Sequence, residues 1–238
     1  MNKMKRYIKR LFFPARCEYC KRVISFTERE CIHCDSLRQR IPEDFCIHCN
    51  KRRCICDDDT HRLTLSVPYI YSGSTKSYIH RYKFAREKLF ADFFADSLYK
   101  AVINDFDTDT FDYVTFIPSA DGAKNTFHHG ELLGRSLAKR LYCSCTPLLV
   151  RTRHIRKQHY LSFEERIKNM HNAFSVIEGF DLTGKTVLIC DDIKTSGSTL
   201  LAAEKALLDA GAEKVYCCAV ATPVFAADSP LDKESKKL

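Results

Sequence analysis

The stretch Val187-Leu-Ile-Cys-Asp-Asp-Ile-Lys-Thr-Ser-Gly-Ser-Thr199 decides the fold. Its four leading apolar residues predict a buried strand, which ends in two adjacent carboxylates, Asp191 and Asp192. Small hydroxyl residues and a glycine follow, and an amphipathic helix is predicted over residues 198–209. A strand, a loop and a helix in this order predict one unit of an α/β fold. In such folds, ligands bind outside the carboxyl ends of the strands.

The loop after the two carboxylates suits a phosphate group. Its backbone N–H groups and the positive end of the following helix converge on one point, and Gly197 allows a phosphate to approach the chain closely. Asp191 and Asp192 would repel a phosphate, but carboxylates accept hydrogen bonds well from the vicinal hydroxyls of a ribose. The stretch therefore predicts a ribose 5-phosphate site. The alternative is a solvated Asp-Asp turn before an N-capped helix.

Strand-like and helical stretches alternate along the rest of the chain. Strands are predicted at 63–71, 111–117, 147–150, 174–177, 186–190 and 214–220, and helices at 77–104, 131–142 and 198–209. Gly211 is the predicted C-cap of the last helix. This alternation predicts an α/β fold with a mostly parallel sheet flanked by helices.

Eight of the 13 cysteines form closely spaced pairs near the start of the chain. A Cys-x₂-Cys turn presents two thiolates to one metal ion, and two such turns complete a tetrahedral zinc site. We therefore predict one or two structural Zn²⁺ ions. The predicted ligands are Cys17, Cys20, Cys31, Cys34, Cys46, Cys49, Cys54 and Cys56. Sequential pairing of neighbouring turns is expected, with interleaved pairing, disulfides or an iron–sulfur cluster as alternatives.

Composition divides the chain into a Cys-rich zinc module at 1–60, an α/β domain at 61–223 and a charged tail at 224–238. The formal net charge of +8 falls to about +4 if eight thiolates hold two zinc ions. This surplus favours a phosphate-rich small ligand over a dedicated DNA-binding surface. No apolar run approaches the ~18 residues of a membrane span, and the run before Pro14 is too short for a signal peptide. We therefore predict a cytoplasmic protein.

The segment from Asp191 to Thr199 resembles the motif with which type I phosphoribosyltransferases bind 5-phosphoribosyl 1-diphosphate (PRPP). That motif is Asp-Asp-apolar-x-Thr-Thr-Gly-x-Thr, and Ser196 replaces one of its threonines. The resemblance implies that Asp191 and Asp192 bind the ribose 2′- and 3′-hydroxyls. It implies that the 5′-phosphate contacts Thr195, Ser196, Gly197, Ser198 and Thr199. It also implies a mobile hood over the site and a Mg²⁺ ion that PRPP chelates.

The chain as a whole resembles the ComF/GntX-type proteins, a phosphoribosyltransferase-like family with an N-terminal zinc module. Lys83-Phe84 is similar to its signature after the first helix. Its long central signature is matched in order by Arg151, Arg153, Gln158, Leu161, Ser162, Glu165, Arg166, Asn169, Ala173 and Phe174. The resemblance implies a role in DNA uptake (competence) or nucleotide metabolism. Single-stranded DNA and competence or DNA-processing proteins are the implied partners.

The basic stretch that begins at Arg151 lies where a mobile loop would close over the ligand. Arg151 and Arg153 are the candidate catalytic residues, because a guanidinium can stabilise a leaving pyrophosphate; the alternative is a solvated loop. The loop that contacts pyrophosphate in the superfamily has lost its usual arginines here, and Lys124, His128 and His129 are its basic residues.

Two functions are compatible with this sequence. The first is a phosphoribosyltransferase that acts on an unspecified acceptor. The second is a PRPP-sensing protein that binds single-stranded DNA without catalysis. In the second, aromatic side chains of the zinc module would stack on bases, although they could equally form its small core. These side chains are Phe12, Phe13, Tyr19, Phe26 and Phe45.

Overall fold

The computed structural model describes residues 14–17, 21–25, 28, 30–36, 38–52, 54, 56, 63–84, 89–107, 110–119, 128–152 and 173–225. The helices are α1 (Ile32–Ser36), α2 (Gly73–Phe84), α3 (Leu89–Asp105), α4 (His129–Arg140) and α5 (Ser198–Asp209). The strands are β1 (Phe45–Cys46), β2 (Lys51–Arg52), β3 (Leu65–Ser66), β4 (Tyr69–Ile70), β5 (Tyr113–Phe116), β6 (Ser144–Cys145), β7 (Leu149–Arg151), β8 (Phe174–Val176), β9 (Thr186–Ile193) and β10 (Lys214–Thr222). Among these residues, no helix has the length and apolar character needed to cross a bilayer.

A six-stranded parallel sheet forms the centre of the described structure. β10 lies between β9 and β3 and also pairs with β4, while β5 lies between β9 and β6. Every strand pair in this sheet is parallel. The predicted α/β fold with a mostly parallel sheet flanked by helices is confirmed.

β9 is apolar on both of its faces because helices cover both sides of the sheet. Leu188 and Cys190 pack in the core cluster that includes α2, α3 and α4. Val187 and Ile189 pack in the second cluster, which includes α5. A strand buried on both faces needs an uninterrupted apolar run, which is the feature that identified β9 in the sequence.

Three of the predicted elements are divided or extended in the structure. The stretch 63–71 forms two short strands because Pro68 has no N–H to donate to β10. The helical stretch 77–104 is two helices, α2 and α3, and residues 85–88 between them lie outside the described residues. β9 continues through Asp191 to Ile193, since both residues still pair with β10.

The predicted strands at 147–150 and 174–177 do not join the central sheet. They form a separate antiparallel ribbon, β7–β8, in which Arg151 pairs with Phe174. The ribbon brackets residues 153–172, which lie outside the described residues. Arg151 is therefore held at the point where the predicted hood begins.

Candidate active site and metal centre

Side chains from four elements meet near the carboxyl end of β9. Asp191 and Asp192 belong to β9, Lys83 lies at the end of α2, His129 begins α4 and Arg151 ends β7. The parallel sheet brings Asp191, Asp192 and His129 together, because the carboxyl ends of its strands and the N-termini of the helices that follow them share one edge.

Asp192 is the buried acid of the pair, with 5% of its surface exposed. Lys83 Nζ lies 2.8 Å from Asp192 Oδ1, and His129 Nε2 lies 3.5 Å from Asp192 Oδ2. Burial alone would lower the pKa of Lys83, but the Asp192 carboxylate outweighs burial and raises that pKa above its ordinary value. Burial lowers the pKa of His129, more than Asp192 raises it, so the imidazole is neutral at pH 7. Among the described residues, Lys83 is thus the one charged cationic partner of Asp192.

The second carboxylate oxygen of Asp192 has no hydrogen-bond donor among the described groups. Oδ2 is buried, and its 3.5 Å separation from His129 Nε2 does not amount to a hydrogen bond. A buried acceptor without a donor is unfavourable and rare in native structures. A hydrogen-bond donor at this atom would remove that cost.

Asp191 is adjacent in the chain but differs in its surroundings. Its Oδ1 accepts a hydrogen bond of 2.8 Å from the backbone N–H of Asp192. Burial, and next the charge of Asp192, raise the pKa of Asp191 to about 7, although Lys83 and Arg151 act in the opposite direction. Asp191 consequently changes its charge near neutral pH.

Arg151 is held at the edge of the same site. Its Nε donates a hydrogen bond of 2.8 Å to the carbonyl oxygen of Pro118, and its Cζ lies 5.1 Å from the ring centroid of Phe174. Burial lowers the pKa of Arg151, while the nearby Asp191 raises it. These contacts fix the guanidinium beside the acid pair. Arg153, the other candidate catalytic residue, lies outside the described residues.

The predicted phosphate loop follows Asp192 directly. Gly197 is the N-cap residue of α5 and has φ +81°, a left-handed conformation that favours glycine. It offers no side chain to the first N–H groups of α5, so these can donate to a bound anion. The hydroxyls of Ser196 and Ser198 lie 3.0 Å apart, and Thr195 is exposed. Ser198 is 3% exposed, so the hydroxyls that the loop can present are those of Thr195 and of the partly buried Ser196 and Thr199.

Two groups of cysteine sulfurs are arranged to hold metal ions. Within each group the Sγ atoms all lie within 4.8 Å of one another. One group is Cys46, Cys49, Cys54 and Cys56, and the other is Cys17, Cys31 and Cys34. A tetrahedral zinc thiolate site with bonds of about 2.3 Å places its sulfurs about 3.8 Å apart, which fits these groups. The grouping follows the sequential pairing, and Cys20, the expected fourth ligand of the second group, lies outside the described residues.

The turn from Cys46 to Asn50 contacts the phosphate loop. Lys194 Nζ donates hydrogen bonds to the carbonyl oxygens of Ile47 and His48, both at 2.6 Å, and to Asn50 Oδ1 at 2.8 Å. Asn50 Nδ2 donates to the carbonyl oxygen of Thr195 at 2.6 Å. Sequence reasoning missed Lys194 because it stands at an unspecified position of the motif, where no pattern marks a contact with a distant turn.

Comparisons with known proteins agree with this architecture. A family model described as the phosphoribosyl transferase domain matches residues 128–237, slightly under half of the chain. None of the curated proteins compared matches the chain.

Several solved structures resemble it at low identity. Glutamine PRPP amidotransferase from B. subtilis is 19% identical, with a TM-score of 0.36 over 56% of this chain and 25% of that chain. An adenine phosphoribosyltransferase is 18% identical, with a TM-score of 0.38 over 67% and 80%. A hypoxanthine phosphoribosyltransferase from Staphylococcus aureus is 14% identical, with a TM-score of 0.35 over 57% and 64%.

The match spans only a quarter of the amidotransferase chain. Structural similarity at these identities and TM-scores does not strengthen the match to the family model. The family match begins at the residue before α4 and includes β9, the acid pair and the whole phosphate loop. This segment is thus similar to a phosphoribosyl transferase domain, and the parallel sheet flanked by helices agrees with a phosphoribosyltransferase-like fold.

Proposed function

We propose that the protein binds PRPP together with Mg²⁺ at residues 191–199 and transfers the phosphoribosyl group to an acceptor. The observation that supports this most is the buried Oδ2 of Asp192, which has no hydrogen-bond donor among the described groups. A ribose hydroxyl supplies that donor, while the loop from Thr195 to Thr199 binds the 5′-phosphate.

The proposed roles follow from the charges at the site. Asp191 and Asp192 accept hydrogen bonds from the ribose diol, and Lys83 forms an ion pair with Asp192. Transfer breaks the bond between the anomeric carbon and pyrophosphate, which leaves with the electron pair, and the acceptor forms the new bond. Arg151, fixed by Pro118 and Phe174, stabilises the charge that develops on the leaving group. Mg²⁺ chelated by PRPP supplies further positive charge.

We propose structural Zn²⁺ for the two cysteine groups. All-sulfur ligand sets with this spacing suit zinc, and a site filled by four protein ligands leaves no open position for catalysis. The metals would therefore support folding rather than the transfer step.

Calorimetry with PRPP and Mg²⁺ tests the proposed site. We expect Asp191→Asn with Asp192→Asn to weaken PRPP binding at least tenfold, a difference of about 1.4 kcal/mol or more. The exposed Asp209→Asn serves as the matched control and should bind like the wild type. The pKa of Asp191 is raised to about 7. Ionised Asp191 accepts hydrogen bonds from the ribose hydroxyls with both oxygens, whereas protonation turns one oxygen into a donor. The affinity for PRPP should therefore rise from pH 6 to pH 8.

Equal affinity of the double variant and the wild type would contradict the proposed site. A thermal melt of each variant shows whether a loss of binding reflects unfolding instead. Turnover is tested separately, by pyrophosphate release across a panel of purine, pyrimidine and amine acceptors. Binding without release would favour the PRPP-sensing alternative.

We do not extend the proposal to single-stranded DNA. Of the aromatic side chains considered for base stacking, only Phe45 lies among the described residues, and it is buried. The resemblance to ComF/GntX-type proteins predicts that this PRPP site acts in competence or in nucleotide metabolism.

A further inference from the structure

Lys194 is a buried cation between the phosphate loop and the cysteine group formed by Cys46, Cys49, Cys54 and Cys56. It is 2% exposed, and its Nζ donates to three neutral oxygens. Among the described carboxylates, none forms an ion pair with it. A buried charge requires compensation by an opposite charge nearby.

The cysteine group supplies that charge when it holds a divalent metal. Four thiolates around a divalent ion carry a net charge of about −2. The two carbonyls that bind Nζ belong to Ile47 and His48, which lie between the ligands Cys46 and Cys49. The ammonium is therefore placed directly against the metal-binding turn.

The rest of the Lys194 side chain supports the phosphate loop. A Cβ at Gly197 would lie 3.3 Å from Lys194 Cε, so the lysine stem packs directly beneath that glycine. Asn50, fully buried beside Nζ, donates to the carbonyl oxygen of Thr195. The turn that carries two metal ligands thus holds the loop at Thr195 through Asn50, and it also binds Lys194, whose stem packs against Gly197.

We propose that Lys194 is the counter-cation of the Cys46–Cys56 metal centre and that, with Asn50, it positions the phosphate loop. Metal binding and ribose-phosphate binding then strengthen each other. The identity of the ligand rests on the proposed function, whereas the pairing of Lys194 with the metal centre does not.

The first test uses the zinc-loaded full chain without ligand. Zinc retention is measured in competition with a chromophoric chelator for Lys194→Met, Lys194→Arg and the exposed control Lys205→Met. We expect Lys194→Met to weaken the binding of one zinc ion at least tenfold, and Lys205→Met to leave it unchanged. Lys194→Arg should recover most of the loss because it keeps the charge, whereas methionine fills the same space without one. Wild-type zinc retention in Lys194→Met would overturn the proposal.

The second test measures the coupling itself. Ribose 5-phosphate, or PRPP with Mg²⁺, should raise the affinity for one metal ion by about 5- to 150-fold, and metal should raise ligand affinity by the same factor. Asn50→Gly suits the left-handed φ of +63° at this position and leaves the carbonyls of Ile47 and His48 to hold Lys194, but it removes the amide donor to Thr195. It should retain the metal and lose most of the coupling. With Co²⁺ in the cysteine sites, ligand should shift the visible absorption bands of the wild type but not those of Asn50→Gly.

The two proposals fail in different ways. A wild type that binds neither ribose phosphate refutes the proposed function, while zinc retention in Lys194→Met still decides the role of Lys194. A wild type that binds PRPP with unchanged metal affinity refutes the coupling and leaves the PRPP site intact.

Discussion

Lys83 and Asp192 form an ion pair that joins α2 to the end of β9, and both side chains are largely buried. We expect Lys83→Met to lower the free energy of unfolding by about 3 kcal/mol, because it leaves a buried carboxylate without its cation. Lys83→Met combined with Asp192→Asn should recover a large part of that loss. Urea unfolding at pH 7 measures both variants.

The exposed pair of Lys185 and Asp112 provides the control. Lys185→Met should change stability by less than about 1 kcal/mol, as is usual for surface ion pairs. Additive losses in the Lys83 and Asp192 variants would contradict the pairing, since coupled residues do not behave additively.

The sequence predicted the acids of the site better than their partners. Asp191 and Asp192 follow an apolar run and precede a glycine-containing loop, so the neighbouring residues in the sequence are enough to predict their role. The contacts of Lys83 and Lys194 join positions that are more than 100 residues apart in the chain, and such pairs have no characteristic spacing. The sequence predicts His129 as a basic residue of the pyrophosphate loop, and its ring lies against Asp192.

Glu204 on α5 gives a pH-dependent test of that helix. Burial raises the pKa of its carboxyl from 4.5 to about 7. Since the folded pKa exceeds the unfolded one, the folded state favours the protonated form. This contribution to stability is complete below pH 4.5 and is lost as the pH rises through 7.

We therefore expect Glu204→Gln to raise the free energy of unfolding at pH 8 by about 1 kcal/mol, a value reduced for partial solvent exposure. The gain should vanish at pH 4, where wild type and variant are both neutral at this position. Thermal melts from pH 4 to 8 measure it, with the exposed Asp209→Asn as control. A gain that does not depend on pH would contradict the burial of a charge.

Elements with local signals were predicted closely. α5 spans Ser198–Asp209 as expected, and Gly211, at φ +97°, follows its C-cap residue, Ala210. The N–H of Ala212 donates to the carbonyl of Leu207, and that of Gly211 to the carbonyl of Leu208, which completes a Schellman motif. The β7–β8 ribbon was not predicted, because strand pairing depends on partners that an apolar run does not identify.

The two faces of the sheet should contribute separately to the stability of the molecule. Leu98 on α3 and Leu207 on α5 are both fully buried, in different core clusters. We expect Leu98→Ala and Leu207→Ala each to lower the free energy of unfolding by about 2–5 kcal/mol, and the losses to add within about 0.5 kcal/mol. Denaturant unfolding measures them.

Leu208→Ala is the matched control for α5, because Leu208 is 45% exposed beside the fully buried Leu207. It should change stability by no more than about 0.5 kcal/mol. Strongly non-additive losses would mean that the two clusters respond to mutation as one.

Because β10 lies between strands that are synthesised before it, the central sheet cannot be completed until β10 has been made. β10 separates β9 from β3 and β4. Thr222 at its end and Phe225 beyond it both donate hydrogen bonds to Asn50. A nascent chain that stops before Lys214 has made the cysteine-rich segment and both early strands but not the strand that joins them. Such late closure between distant segments is slow and leaves strand edges open to aggregation. We therefore expect newly made chains to depend on chaperones until β10 emerges.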